Sequence, residues 1–180
     1  MSEHARKMVP FSAPEDIDIY LDALEDEIQF NRCVAKSTLE LHGEQSANSR
    51  TLLMMILTLL IEGAPSPFLY NLEKKFLVDV VFLSLKEPND ITLITNAVIL
   101  LQHLQQNCMT VAVDGNECMD VLYKNSKRHT SPKFIEVSLD LVMLGAPDYG
   151  LSHPKSVKAL EFCIRIHSLL SNNSRKNSCV

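Results

Sequence analysis

The chain has 180 residues, 46% of them apolar, a mean hydropathy of +0.04 and a net charge of −5. Those totals exclude a disordered polymer, which cannot bury enough apolar surface to offset its ordering entropy, and a chain of this length builds a core without covalent staples. Only five glycines and no tryptophan occur, which leaves little material for phosphate-cradling loops, so the long apolar runs read as helices.

Residues 1–13 read as a loose leader. Pro14 opens a helix, with Ser12 placed to cap it and Glu15, Asp16 and Asp18 in the first turn, where acids suit the helix dipole. Ile17, Leu21, Leu24 and Ile28 form one apolar stripe beside Tyr20, and Asp22, Glu25, Asp26 and Glu27 mark the wet face. That helix, or a second one after a bend near Asn31, continues to Leu41 and stops at Gly43. Ser46 to Glu62 is the next helix. Leu52, Leu53, Ile56, Leu59 and Leu60 repeat at helical spacing, Met54, Met55, Leu57 and Ile61 fill the remainder, and the near absence of a wet face predicts a central position.

Phe68 to Lys86 reads as one helix. Leu72, Phe76, Val80 and Leu83 lie on one side of it, and Leu69, Leu77, Val81 and Leu85 on another. Pro88 stops it and Asp90 caps Ile91–Gln106, whose core face is Leu93, Ile94, Ala97, Val98, Leu101 and Leu104. The hairpin Lys74–Gln106 is too apolar to stand alone and needs helices on both flanks. After a connector at 107–115, in which Thr110–Val113 could be extended, a short helix runs from Asn116 to Asn125 and a basic loop from Ser126 to Ser131. Pro132 opens a helix to Leu144, and Pro154 opens the last one, to Leu170. Residues 171–180 read as a disordered tail, which leaves 14–170 as a single domain.

The hairpin has a partial copy. Lys75–Leu83 aligns with Lys133–Leu141 at an offset of 58 residues, and each copy continues through a proline-containing turn and an acid, Asp90 or Asp148. Across roughly 46–170 the chain resembles armadillo/HEAT-type helical repeats. That resemblance implies a right-handed α-solenoid of antiparallel helix pairs that binds partners through a surface rather than a catalytic centre. Both hairpins, Lys74–Gln106 and Pro132–Leu170, also resemble the vertebrate meiosis inhibitor proteins, which are far longer. That implies a fragment or short form of a scaffold associated with meiotic chromosomes.

Charge is unevenly placed. Residues 1–120 carry 8 basic and 18 acidic side chains, a net −10, whereas 121–180 carry 9 basic and 4 acidic, a net +5. The basic segment Lys124, Lys127, Arg128, His129 and Lys133, with Lys155 and Lys158, is the candidate partner surface, facing an acidic protein or, as the alternative, nucleic acid. No aromatic residues interleave with it. The carboxylates of 15–27 sit on a solvated helix face, not in a cleft that would tune them for acid–base work.

No GxSxG, GxGxxG or GxxxxGK[ST] pattern occurs, so no enzyme class is indicated and no cofactor is expected. Five cysteines without a CxxC pair, and an N-terminal MSEHARKMVP without a secretory apolar segment, read as reduced thiols in the cytoplasm or nucleus. On that reading the sequon Asn172-Asn173-Ser174 carries no meaning. Cys163 and His167 share a helix face, but a structural zinc needs four ligands and no second pair has the spacing, so no metal is expected. The run Thr51–Ile61 falls short of the roughly 20 apolar residues a membrane span needs. The terminal Ser178-Cys179-Val180 matches a PDZ-type C-terminal ligand through Ser178 and Val180, with Arg175–Ser178 resembling a basophilic kinase site.

Overall fold

A computed structural model describes residues 14–72, 74–87, 89–108, 116–144 and 154–177. All the regular structure among them is helical: α1 (Pro14–Gly43), α2 (Ala47–Gly63), α3 (Ser66–Asn71), α4 (Lys74–Leu85), α5 (Ile91–Cys108), α6 (Asn116–Arg128), α7 (Pro132–Leu144) and α8 (Pro154–Asn177). The protein is all-α. The predicted leader at 1–13 and the extended stretch at Thr110–Val113 lie outside the described residues.

The centre is α5. Leu93, Ile94, Ala97, Val98, Leu100, Leu101 and Leu104 are all buried, because α2, α3, α4 and α7 pack around this one helix. Asp90 starts it as the sequence predicts. Its Oδ1 accepts the Leu93 N–H at 2.9 Å, and its Oδ2 accepts the Thr51 hydroxyl of α2 at 3.1 Å. One carboxylate therefore caps one helix and ties down another. On the far side, Gln102 Nε2 donates to the Val137 carbonyl of α7 at 3.0 Å. The packing runs in a simple order: α1 on α4 and α4 on α6, with α2 on α5 and α5 on α7. The last helix, α8, rests on α6 and α7.

Several expectations need correction. The helix predicted as central, α2, covers only Met54, Leu57, Thr58 and Ile61, and its opposite face leaves Leu52 58%, Met55 44%, Ile56 38% and Leu59 66% exposed. A helix apolar all round has no sequence signal for which face is covered, and here α1 and α5 cover one side only. Of the two courses open to α1, the structure takes the first, one helix running unbroken through Asn31. Its covered face is Val34, Thr38 and Leu41 with Phe30 half-buried, whereas Ile28 of the predicted stripe is exposed. Phe30 meets the Phe68 ring at 5.7 Å, and Asn71 Nδ2 donates to Glu27 Oε1 at 2.9 Å, so α3 fixes this contact.

The predicted Phe68–Lys86 helix is two helices. Leu72 is extended (φ −63, ψ 132) between α3 and α4. The break lets Leu69 and Leu72 reach the core along with Leu77, Val80, Val81 and Leu85. The predicted loop at Ser126 is still helix to Arg128, with Ser126 buried. The last helix runs past Leu170 to Asn177, so most of the predicted disordered tail is helical backbone.

The alignment of the two hairpins also shifts by one residue. Leu77, Val80, Val81, Ser84 and Leu85 are buried in α4, and Phe134, Val137, Ser138, Leu141 and Val142 in α7, an offset of 57. The two phenylalanines paired by the sequence sit in opposite environments: Phe76 is 42% exposed, against the His42 ring at 5.8 Å, while Phe134 is fully buried.

Buried hydroxyls mostly serve their own helix. Thr38, Thr58, Ser84 and Ser126 each donate to the carbonyl four residues back, at 2.7 to 3.1 Å. Ser138 is the exception, fully buried with its Oγ unpartnered. Ser138→Ala removes that desolvated hydroxyl and should raise stability by about 1 kcal/mol, read as a higher urea midpoint at unchanged slope.

Candidate partner-binding cleft

The face of α6 that carries Asp120, Val121, Lys124, Asn125 and Arg128 repeats at helical spacing, so all five side chains share one side. Opposite it ends α4, with Leu85 and Lys86. Between them lies an open cleft of about 590 Å³, and these seven are its described lining residues. Asn125 holds it together. Its side chain is buried, and Nδ2 donates to the Leu85 carbonyl at 2.7 Å, satisfying an acceptor that the end of α4 would otherwise leave open. The apolar floor is Leu85 and Val121, and the rim is Lys86, Lys124 and Arg128.

The rim is electropositive. Asp120 is the only acid among the described lining residues, and Arg165 of α8 approaches it at 3.7 Å. Neither Lys124 nor Arg128 has an acidic partner among the described residues. Among its described lining residues there is no His, Cys, Ser or Tyr. Among the described lining residues, three cationic side chains stand around an apolar floor.

The predicted basic surface is thus divided. Lys124 and Arg128 line the cleft. Lys127 turns away, its Nζ 4.7 Å over the Tyr123 ring, with the Arg165 guanidinium 5.5 Å from the same ring. Lys133 pairs with Glu136 at 3.2 Å on the exposed side of α7. Lys158 belongs to a separate small hollow of about 220 Å³ with Met119, Asp120, Glu161, Phe162 and Arg165. The Lys155 side chain, Ser178 and Val180 lie outside the described residues. Sequence reasoning missed Lys86, which belongs to another hairpin, and Asn125, whose partner is 40 residues away.

Among the described residues no three His, Cys, Asp or Glu side chains gather in a way that could hold a metal ion. Cys163 is half-buried and His167 exposed. No helix of the described residues is long and apolar enough to cross a membrane. No known protein family, curated protein or solved structure matches the chain.

Proposed function

We propose that the protein is a non-enzymatic helical-repeat scaffold, an armadillo/HEAT-like right-handed solenoid, that binds an acidic segment of a protein partner in the α4–α6 cleft. The observation that carries this reading is the convergence of Lys86, Lys124 and Arg128 around Leu85 and Val121 in that cleft. The packing order of α1, α4 and α6 alongside α2, α5 and α7 supports stacked helix pairs. The resemblance of both hairpins to meiosis inhibitor proteins favours a partner in a meiotic chromosome assembly.

A cleft with an apolar floor favours a peptide over a nucleic acid, whose backbone follows charge alone. The test is fluorescence anisotropy with a labelled peptide alternating Glu and Leu, and with oligo(dT) of equal charge. The peptide should bind, and Val121→Asp should weaken it. Tighter binding of oligo(dT), lost steeply with salt and indifferent to Val121→Asp, would replace this reading with the nucleic-acid one.

A further inference from the structure

A short non-helical link joins α6 to α7. The His129 N–H closes α6 on the Asn125 carbonyl at 2.8 Å, and the Ile135 N–H opens α7 on the Ser131 carbonyl at 3.1 Å. Pro132 keeps the two helices from merging, because the residue before a proline is steered away from helical dihedrals. Thr130 stands in this link and is exposed. Its neighbours in sequence are less accessible: Ser131 is half-buried, and Ser126 is buried with its hydroxyl on the Leu122 carbonyl.

Lys127 and Arg128 precede Thr130 at positions −3 and −2. One other hydroxyl in the sequence, Ser178, has Lys or Arg at both positions, and it lies outside the described residues. Two cations at that spacing ahead of an exposed hydroxyl complement the acidic substrate grooves of basophilic protein kinases. A phosphate on Thr130 would also stand among cations. Lys127 is drawn over Tyr123 and Lys133 pairs with Glu136, but Arg128 has no acidic partner among the described residues. Two chain steps place the Thr130 and Arg128 Cα atoms at most about 7.6 Å apart, within reach of a guanidinium–phosphate pair. Arg128 is at the same time part of the α4–α6 cleft.

We propose that Thr130 is a phosphoacceptor for a basophilic protein kinase, and that its phosphate turns the α4–α6 cleft against acidic segments. In the transfer, Thr130 Oγ1 attacks the γ-phosphorus of ATP. The Oγ1–P bond forms, the bond from that phosphorus to its bridging oxygen breaks, ADP leaves, and the hydroxyl proton passes to the kinase's catalytic base. The product carries a charge of about −1.5 to −2 at neutral pH. The described lining of the cleft sets Lys86, Lys124 and Arg128 against Asp120, so one phosphate offsets most of the excess. It also draws Arg128 off the rim. The acceptor site follows from the link and its sequence, whereas the effect on binding rests on the peptide-binding reading of the cleft.

The test treats the purified full chain carrying Ser178→Ala with the catalytic subunit of cyclic-AMP-dependent protein kinase and magnesium ATP. Intact-mass and fragment-ion spectrometry should show one phosphate, on Thr130, and adding Thr130→Ala should abolish it. Phosphate that goes to Ser131 instead, or that reaches Thr130 only after unfolding in urea, overturns the proposal. The phosphorylated chain is then titrated against the labelled Glu–Leu peptide at constant salt. Affinity should fall about 10-fold, while kinase-treated Thr130→Ala should bind like the untreated chain. Equal affinity with and without the phosphate overturns the control of the cleft by Thr130. A chain that takes phosphate on Thr130 yet binds no peptide in its unmodified form sinks the peptide-binding reading and leaves Thr130 as the acceptor.

Discussion

Phe134→Ala should lower the unfolding free energy by about 3–5 kcal/mol. Phe134 is among the largest fully buried side chains and sits on α7, a helix enclosed by α5, α6 and α8. Truncation there loses the transfer free energy of the ring and leaves a cavity that neighbours on three helices cannot close together. Against a net stability of about 5–15 kcal/mol for a typical domain, that is a large share. Urea denaturation should show a lower midpoint at unchanged slope. The companion substitution Phe76→Ala separates the two registers of the internal repeat. At an offset of 58 the two phenylalanines are equivalent and should cost alike, but Phe76 is 42% exposed, so its loss should be well under half that of Phe134.

Lys124→Glu combined with Arg128→Glu should weaken binding of an acidic peptide by about 100-fold or more. Among the described lining residues the cleft carries three cations and one carboxylate, and the double reversal leaves one cation and three carboxylates. Attraction becomes repulsion at two positions one helical turn apart. Lys127→Glu is the control, because it makes a charge change of the same kind on the same helix but starts from a side chain that lies over Tyr123, outside the cleft. It should cost far less affinity. The gap between the two should narrow as salt is raised. Replacing Arg128 in the last turn of α6 also removes a favourable dipole contact, roughly 0.3–1 kcal/mol, so circular dichroism should confirm that the helix survives.

How far the sequence could be read follows from how local each determinant is. The core face of α5 was legible because Leu93, Ile94, Ala97, Val98, Leu101 and Leu104 recur at helical spacing, and its start was legible because Asp90 acts on an N–H three residues away. The covered face of α2 was not, since every side of that helix is apolar and only the placement of α1 and α5 decides between them. The break at Leu72 was hidden for a related reason, because two overlapping stripes gave a continuous helical pattern where the chain bends to satisfy both. In the cleft, Lys124 and Arg128 stood out as a local basic run. Lys86 and Asn125 did not, because the link between α4 and α6 exists only once 40 residues of intervening chain have folded.

The way the buried hydroxyls bond has a mechanical consequence. Thr38, Thr58, Ser84 and Ser126 spend their hydrogen bonds on their own helices, so the interior between helices is joined almost entirely by apolar contact. Such contact is non-directional, and a small slide of one helix over another exchanges one set of dispersion partners for another at little cost. Directional ties between helices, such as Arg50 to Glu87 at 3.0 Å, Thr51 to Asp90 and Gln102 to Val137, lie in only partly buried positions. Among the hydrogen bonds between described residues Asn125 makes the buried one, and it pins α6 to the end of α4. That bond sits at the α4–α6 cleft, so it sets the spacing of the cleft's two walls.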